Sequence, residues 1–371
     1  MINKQHKPRI VFTGGGSAGH VTPNLALIER LAQENWQIIY IGSRQGIEKT
    51  IIKSLAILYY GIYSGKLRRY FSWLNLIEPI KVLLGFWQAF FLLRQLKPQI
   101  LFSKGGFVAF PVVVAAWANR IPVVAHESDL TPGLANRLSF PFVSKLCLSF
   151  SVTQQYFTKK DKLVFTGTPI RSQLLRGEKI KGLDFCGFNR TLPCVLVMGG
   201  SQGSNLINET LRQALPILCE DFVVIHLCGR GKLAPNLNNF SNYYQVEYAD
   251  LELPDLLAAA DLIISRAGAN SLHEILVLKK PHILIPLSLT ASRGDQLLNA
   301  QYYAHKGVST VLDEQLLTKK KFCSAIHTVY ADRARIINKI STLGIESATT
   351  KIIGCITKVL HGNYCNKETS G

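Results

Sequence analysis

The 371-residue sequence is short of charged residues, and acidic residues are the scarcer kind. Asp, Glu, Lys and Arg make up 18% of the chain, compared with about 25% in an average soluble protein, whereas hydrophobic residues make up 47%. So apolar a composition excludes a disordered chain. At roughly 150 residues per domain the length allows two or three domains with sizeable cores, and we expect two.

Long hydrophobic runs, paired cysteines and a DxD motif are also missing. The longest uncharged run of the aromatic segment 63–97, Val82 to Leu93, has 12 residues, whereas a transmembrane helix needs about 18. The polar start, MINKQHKPR, leads into an apolar strand without the hydrophobic region of a signal peptide, which predicts a cytoplasmic protein. The eight cysteines form no CxxC pair. We therefore expect no transmembrane helix, no disulfide framework, no metal and no cofactor.

Positive charge is concentrated in the first half. Residues 1–170 hold 20 Lys and Arg against 7 Asp and Glu, a surplus of 13 out of the net +18. The basic residues Lys66, Arg68 and Arg69 lie among aromatic and aliphatic side chains, unlike the recognition element of a nucleic-acid-binding protein. We therefore expect an anionic membrane surface, and no nucleic acid, as a partner. The competing interpretation is a buried helix stripe made of Leu83, Phe86, Trp87 and Phe90.

Two segments share one local design, in which an apolar strand is followed by glycines and then by a helix. The first starts at Arg9 (RIVFTGGGSAGHVTPNLALIERLAQ) and the second at Pro193 (PCVLVMGGSQGSNLINETLRQAL). Further short β-branched runs alternate with helical stretches after each segment. The runs predicted as strands are Gln37–Gly42, Ile100–Phe102, Pro122–Ala125, Lys145–Leu148 and Leu163–Thr166 in the first half, and Phe222–Leu227, Asp261–Ser265 and His282–Pro286 in the second. This alternation predicts two similar α/β domains, each with a parallel sheet covered by helices on both faces. We place the boundary between residues 170 and 171, and expect ligands at the carboxyl ends of the strands, in a cleft between the two domains.

The first glycine segment can be compared with two known nucleotide-binding loops, that of dinucleotide-binding enzymes and that of NTPases. Gly14, Gly16 and Gly19 fit the GxGxxG pattern of a dinucleotide site, but an NAD enzyme needs an acidic residue about 20 positions on, where this chain has Arg44. An arginine there suits the extra phosphate of NADP, so an NADP oxidoreductase is an alternative. His20 and Val21 stand where an NTPase loop has Lys and Ser or Thr, which disfavours an NTPase.

The second half carries two features that favour a nucleoside diphosphate. Residues 199–204, GGSQGS, precede a helix whose N-terminal N–H groups can bind a diphosphate. The segment SRAGANSLHE, from Ser265 to Glu274, follows a buried strand and places Glu274 five residues past the start of the next helix. A carboxylate there can accept hydrogen bonds from both hydroxyls of a ribose.

At these residues the sequence resembles the MurG family of GT-B glycosyltransferases. Seven pieces match in the family's order along nearly the whole chain: GGGSAGHVTP (14–23), SKGGFVAFP (103–111), HESDLTPGLANR (126–137), GTPIR (167–171), GGSQGS (199–204), SRAGANSLHE (265–274) and DQLLNA (295–300). The resemblance implies an α/β GT-B fold with domains 1–170 and 171–371, the first facing acceptor and membrane and the second binding UDP-N-acetylglucosamine. It implies a last helix, around 336–360, that packs back on the first domain.

The resemblance also implies an activity and partners. The family transfers N-acetylglucosamine from UDP-N-acetylglucosamine to lipid I, forming lipid II in peptidoglycan synthesis. The implied location is peripheral, on the cytoplasmic face of the bacterial plasma membrane, with cell-wall or division proteins as possible partners. The implied substrate-binding residues are Ser17, Ala18 and Gly19 on the acceptor side, and Asp129, Arg171, Ser201, Ala249, Ala269, Asn270, Ser271, Glu274 and Gln296 for the donor.

Three positions depart from the family pattern. Asp129 stands where some members have Asn, so it can act only as an acceptor. Phe107 replaces a common tyrosine and removes a hydroxyl. Asp295 precedes Gln296 where others have a Gln pair.

The implied inversion is a single displacement, which requires a base for the acceptor hydroxyl and donors for the charge developing on the diphosphate. His20 is the first candidate for the base because imidazole titrates near neutral pH. Glu127 is the second, as a base or as the group that orients a histidine; both residues can also have only a bracing role. Two alternatives remain: another GT-B enzyme, such as a glycolipid glycosyltransferase or a UDP-sugar epimerase, and a non-catalytic nucleotide-binding membrane scaffold.

Overall fold

The computed structural model describes residues 7–65, 78–189, 191–200, 202–237, 240–289 and 292–368. The chain divides into two compact units, the first made of Met1–Arg171 and Ser347–Gly371 and the second of Ser172–Glu346. The long segment of the first unit thus ends one residue beyond the predicted boundary. Each unit contains a parallel sheet, as the sequence predicts.

The first unit is built on a seven-stranded sheet. Its strands are β1 (Arg9–Thr13), β2 (Gln37–Ser43), β3 (Leu58–Ile62), β4 (Ile100–Ser103), β5 (Val123–Glu127), β6 (Lys145–Leu148) and β7 (Leu163–Phe165). They lie in the order β3-β2-β1-β4-β5-β6-β7, and every neighbouring pair is parallel. The order reverses between β1 and β4, which is where ligands of such sheets bind.

Helices cover both faces of this sheet. They are α1 (Thr22–Gln33), α2 (Ile47–Ser54), α3 (Glu78–Leu96), α4 (Ala109–Ala118) and α5 (Leu134–Ser139). One core cluster joins Val11 and Leu101 to Ala89 of α3 and Val112 of α4, and the other joins Ile10 and its neighbours to α1. Because both faces are covered, β1 reads as a continuous apolar run.

The second unit is built on a six-stranded parallel sheet in the order β10-β9-β8-β11-β12-β13. The strands are β8 (Cys194–Met198), β9 (Val223–Leu227), β10 (Tyr243–Val246), β11 (Leu262–Ser265), β12 (His282–Leu284) and β13 (Thr310–Val311). The helices are α6 (Lys179–Phe185), α7 (Asn205–Asp221), α8 (Leu253–Ala259), α9 (Ala269–Val277), α10 (Asp295–His305), α11 (Lys319–Ala331) and α12 (Arg333–Thr342). The order reverses between β8 and β11, so the loops after these strands lie at the switch point.

The C-terminal helix α13 (Thr349–Glu368) belongs to the first unit. The sequence predicts one helix around 336–360, and the structure corrects this: α12 ends at Thr342, Gly344 adopts a φ of +59°, and α13 starts at Thr349. The side chains of Ile352 and Ile356 are buried against the α1 side of the first sheet, beside Phe102 and Val124. The chain therefore crosses back to its first unit between Glu346 and Ser347.

The predicted strands agree with the structure to within a residue or two, whereas three strands are absent from the prediction. These are β3, β10 and β13, and each lies at the edge of its sheet. An edge strand is covered less completely than a central one; Leu58 of β3, for example, is half exposed. Two of the three give little sequence signal, since β10 (YYQV) has four residues and β13 (TV) has two, whereas the run of β3 (LYYGI) contains Gly61. Among the described helices, none is long and apolar enough to cross a membrane.

The packing of α13 generates a stability prediction. Replacing Ile352 with Ala leaves a cavity in a fully buried position, and we expect the free energy of unfolding to fall by about 2–4 kcal/mol. Urea denaturation, followed by a probe in the first unit, measures the change. Lys351→Ala is the matched control because Lys351 is exposed on the same helix turn. A loss below about 1 kcal/mol for Ile352→Ala would show that α13 is not part of the first unit's core.

Candidate active site

Three loops meet at the carboxyl edge of the first sheet. They follow β1, β4 and β5, which are neighbours in the sheet, and they comprise residues 14–20, 104–107 and 128–133. The ring of Phe107 packs against Gly16 so closely that a Cβ at position 16 would lie 2.2 Å from the ring. Three of the four family-like motifs of the first unit are thus brought together at the switch point of the sheet.

His20 lies in this region, at the end of a 3-10 turn formed by Ala18–His20. Its backbone N–H donates to Ser17 O at 3.1 Å, and its ring Nδ1 lies 3.3 Å from Lys104 O. A carbonyl oxygen can only accept, so Nδ1 carries the proton and the lone pair of the neutral ring is on Nε2. This tautomer is the one in which Nε2 can accept a proton. Ser17 and Gly19 are exposed on the same turn.

Lys104 is a buried residue that the sequence argument missed. Its side chain is 1% exposed, and Nζ donates to Ser128 Oγ at 2.6 Å. Burial lowers the pKa of Lys104 to about 8, although the nearby carboxyl groups of Glu127 and Asp129 act in the opposite direction. Lys104 therefore connects the loop that supports His20 with the loop that follows β5. The available signal was a lysine directly after an apolar strand.

Glu127 is buried and its carboxyl group accepts three hydrogen bonds. The donors are the backbone N–H groups of Asp129 at 3.0 Å and Gly133 at 2.9 Å, and Nδ2 of Asn136 at 2.9 Å. Burial raises the pKa of the Glu127 carboxyl and the Asp129 charge adds to this, whereas Lys104 and the hydrogen bonds lower it. The geometry favours the bracing role that the sequence left open. Glu127 holds the 128–136 segment in place.

His126 and Asn136 complete the support of this segment. His126 is fully buried, and its Nε2 lies 2.8 Å from Gly167 O, in the GTPIR segment. Asn136 donates from Nδ2 to His126 O at 3.1 Å as well as to Glu127. Asp129, which is half-buried, lies in the segment that these residues hold in place. Arg171, the last residue of the long segment, is half-buried.

Glu48 is the second buried charge that the sequence argument missed. Its carboxylate accepts from Ser43 N at 2.9 Å, from Ser43 Oγ at 2.5 Å and from Gly16 N at 3.3 Å. A Cβ at Gly15 would lie 2.5 Å from the Glu48 carboxyl carbon, so a side chain there would displace the carboxylate. Tyr40 supports the same loop, because its hydroxyl donates to Gly14 O at 2.7 Å. The glycines thus make room for a carboxylate of the protein itself.

In the second unit, the loop after β8 starts α7. Ser204 is the N-cap of α7 and accepts from Ile207 N through its side chain. Asn208, one turn along, donates to Cys228 O at 2.8 Å. Ser201, the predicted diphosphate contact, lies outside the described residues. Ala249, predicted to contact the uracil through its backbone, is buried.

The segment SRAGANSLHE lies at the adjacent strand, β11. Arg266 is buried; its guanidinium donates to Ser204 Oγ at 2.7 Å and to Ile285 O at 3.0 Å, and it forms an ion pair with Glu314. Helix α9 then starts at Ala269 without a side-chain cap, with Asn270 and Ser271 in its first turn. Glu274 follows on the half-exposed side of the same helix. Arg266 therefore fixes the loops after β8 and β11 to each other.

Gln296 lies in the first turn of α10. Its Oε1 accepts from Leu287 N at 3.1 Å, so this oxygen supports the loop after β12. The preceding Asp295 pairs with Arg293 at 3.2 Å. Within the described part of the chain, His, Cys, Asp and Glu form no group that could hold a metal ion.

Comparison with known proteins gives matches over both units. Residues 10–147 match the glycosyltransferase family 28 N-terminal domain, and residues 194–352 match the family 28 C-terminal domain. A protein of Legionella pneumophila (strain Paris) is 56% identical over 354 residues, covering 95% of this chain and 98% of its own. It is named UDP-N-acetylglucosamine--N-acetylmuramyl-(pentapeptide) pyrophosphoryl-undecaprenol N-acetylglucosamine transferase. A protein of the same name from Lachnoclostridium phytofermentans is 52% identical, covering 95% of this chain and 99% of its own.

Solved structures show the same architecture. The crystal structure of Acinetobacter baumannii MurG matches with a TM-score of 0.74 at 25% identity, covering 95% of this chain and all of that one. A UDP-GlcNAc 2-epimerase from Neisseria meningitidis, bound to UDP-GlcNAc, matches with a TM-score of 0.65 at 16% identity, covering 95% of this chain and 100% of that one. The second likeness concerns the fold alone.

The position of Glu48 generates a prediction about the first glycine loop. In Glu48→Gln an amide NH₂ replaces one carboxylate oxygen and faces the N–H of Gly16 or Ser43. We therefore expect the free energy of unfolding to fall by roughly 1–3 kcal/mol. Amide hydrogen exchange of residues 14–20 should become faster at the same time. Thermal denaturation and exchange mass spectrometry measure the two effects. Glu34→Gln is the control, because Glu34 is exposed and pairs with the exposed Arg30. Unchanged exchange in the loop would contradict the proposed support.

Proposed function

The chain belongs to glycosyltransferase family 28, and from that premise we propose that it transfers N-acetylglucosamine from UDP-N-acetylglucosamine to lipid I. The observation that carries the proposal is the 56% identity, over 95% of the chain, to a transferase named for this reaction. The matched regions cover both units. The product is lipid II, and the reaction belongs to peptidoglycan synthesis.

The donor binds to the second unit in this proposal. The N-terminus of α9 supplies N–H groups and a favourable dipole to the diphosphate, and Glu274 accepts from the ribose hydroxyls. Ser201, Ala269, Asn270 and Ser271 contact the phosphates and sugar, and Gln296 contacts the sugar hydroxyls. The Ala249 backbone binds the uracil end. For Arg171, which ends the long segment of the first unit, a contact with the uracil stays a prediction. The buried Arg266 supports the phosphate-binding part of this arrangement because it fixes the loops after β8 and β11 to each other.

The acceptor binds to the first unit, at the loop that contains Ser17, Ala18 and Gly19. His20 accepts the proton of the attacking hydroxyl at Nε2, since Nδ1 donates to Lys104 O. The anomeric carbon inverts as the diphosphate leaves, and the N–H groups of α9 stabilise the charge that develops on it. Glu127 contributes by holding the 128–136 segment, including Asp129, through its three hydrogen bonds.

The alternatives are less well supported. The epimerase shares the fold at 16% identity, whereas the transferases share 52–56% of residues along almost the whole chain. An NADP oxidoreductase would use Arg44 for the extra phosphate, but both units match a glycosyltransferase family. A non-catalytic scaffold would not require the contact between His20 Nδ1 and Lys104 O, which leaves Nε2 as the proton acceptor.

A donor-side substitution tests the transferase reaction. Loss of the Glu274 carboxylate in Glu274→Ala removes charge-assisted hydrogen bonds to the ribose, so we expect the donor Michaelis constant to rise roughly 10- to 100-fold. The assay follows labelled N-acetylglucosamine onto a short-chain lipid I analogue. Glu209→Ala is the control, because Glu209 is exposed on α7.

Thermal protection by nucleotides provides a second readout of the same proposal. UDP should raise the melting temperature of the wild-type protein, and less so that of Glu274→Ala, whereas NADP should not. Protection by NADP without protection by UDP would contradict the transferase proposal. So would wild-type protein that transfers no label to the analogue.

We also propose that the protein docks peripherally on an anionic membrane, on the cytoplasmic face of the plasma membrane, through an exposed face of α3. This α3 face consists of Ile80, Leu83, Leu84, Trp87 and Phe91, which are all about half exposed or more. The buried-stripe interpretation is wrong for Leu83, 57% exposed, and Trp87, 48% exposed. The side of α3 that packs on the core consists of Gly85, Ala89 and Leu93.

Such a contiguous apolar face is typical of a membrane or protein contact, and Arg94 and Lys97 at its end suit anionic lipid. The predicted basic residues Lys66, Arg68 and Arg69 lie outside the described residues. Cell-wall or division proteins as partners stay a prediction.

Substitutions on the α3 face test the docking. In a Trp87→Ser/Phe91→Ser variant, the loss of two large apolar side chains should reduce sedimentation with anionic vesicles about tenfold or more. Transfer to a soluble short-chain acceptor should stay unchanged. Leu175→Ser/Ile180→Ser is the control, because both residues are about half exposed but lie in the second unit. Equal vesicle binding by the two variants would contradict docking through α3.

A further inference from the structure

A basic pocket of about 410 Å³ lies beside the site loops of the first unit, and the proposed transfer reaction does not use it. It is lined by Arg44, Lys49, Lys53, Tyr59 and Gly61. Arg44 directly follows β2, and Lys49 and Lys53 are four residues apart on α2, so they project from the same side of that helix. The pocket is a depression that is open to solvent, so a ligand can reach its cations.

The three cations of this pocket have no acidic partner among the described residues. No ion pair or hydrogen bond of the Arg44, Lys49 or Lys53 side chain occurs in the part of the chain that the structure describes. The acidic residue of the same helix is Glu48, and its carboxylate points into the protein, toward Ser43 and Gly16. The positive charge of the pocket is therefore not neutralised by its own helix.

The guanidinium of Arg44 is held in place before any ligand arrives. Its central carbon lies 3.8 Å from the centroid of the Tyr63 ring, a cation–π contact. The main chain at Tyr63 is held by α3, because the Tyr63 backbone N–H donates to Gln88 Oε1 at 2.8 Å. Gly61 leaves room for the arginine, since a Cβ there would lie 3.1 Å from Arg44 Cα. A preplaced guanidinium loses less conformational entropy on binding an anion.

We propose that this basic pocket binds a phosphate or diphosphate group. Arginine presents a planar pair of N–H donors that matches phosphate oxygens, and two lysine ammonium groups add point charges. Three positive charges match a multiply charged phosphoryl anion, whereas a single carboxylate would leave most of that charge uncompensated. The phosphate can belong to a soluble molecule or to a lipid headgroup, and the experiment separates these sources.

Pyrophosphate is the soluble probe. Binding is measured by isothermal titration at low ionic strength, with excess UDP present to fill a nucleotide site in the second unit. For Lys49→Gln/Lys53→Gln we expect the dissociation constant for pyrophosphate to rise about tenfold. Arg44→Lys keeps the charge but removes the planar donor pair and should also weaken binding. The matched control is Lys159→Gln/Lys160→Gln, which removes two exposed positive charges from the same unit.

Vesicles of phosphatidylglycerol in phosphatidylcholine test the lipid source. If the headgroup phosphate is the ligand, the Lys49/Lys53 variant should sediment less with these vesicles than the Lys159/Lys160 control. Weaker binding of either probe, specific to the pocket variant, supports the proposal and identifies the source. Equal binding of both probes by the two variants would overturn it, because the cations would then be ordinary solvated side chains.

The outcome is independent of the proposed transferase function. Thermal protection by UDP depends on the second unit and should be the same in the pocket variants and the wild type. A protein that fails the transferase assay can still bind pyrophosphate at this pocket. A normal melting temperature without ligand shows that the pocket variants are folded.

Discussion

Every strand in both sheets runs parallel to its neighbours, and this constraint places all the loops that matter at one edge of each sheet. A parallel sheet must be covered on both faces, so its strands are mostly apolar and polar site residues such as His126 and Glu127 lie at a carboxyl end. Most of the site side chains come from the loops after β1, β4 and β5 in the first unit and after β8, β11 and β12 in the second. The glycosyltransferase chemistry therefore depends on how these loops are held.

Buried charged side chains hold the site loops in place. Glu48 binds Gly16 of the first glycine loop, Lys104 binds Ser128, and Glu127 at the end of β5 accepts three hydrogen bonds from the segment that follows it. In the second unit, Arg266 has the same function through Ser204 and Ile285 O. A buried charge is costly unless it is hydrogen-bonded, so each of these groups favours one loop conformation over the others. The fixed loops provide preorganised positions for a proton acceptor and for N–H donors, which is what displacement at a sugar diphosphate requires.

The surface of the first unit carries two further features that suit anionic partners. The α3 face is apolar, with Arg94 and Lys97 at its end, whereas the basic pocket contains three cations and an aromatic support. Tyr63 connects Arg44 of the pocket to helix α3, because its ring contacts the Arg44 guanidinium and its backbone N–H donates to Gln88 Oε1. The positive surplus of residues 1–170 is thus not spread evenly, because a part of it surrounds a single pocket.

The sequence alone determined the fold class, the central strands, the family and where in the chain most of the motif loops lie. Central parallel strands and glycine turns leave local patterns in the chain. The tertiary structure decided the rest. The edge strands β10 and β13 are too short to give a clear pattern and the run of β3 contains Gly61. The split between α12 and α13 depends on which unit each helix packs against. The aromatic helix α3 has both faces apolar in sequence, so only packing on α4 shows that Leu83 and Trp87 are exposed. Lys104 and Glu48 resemble surface residues in the sequence, since burial of a charge is decided by distant hydrogen-bond partners that the fold brings to it.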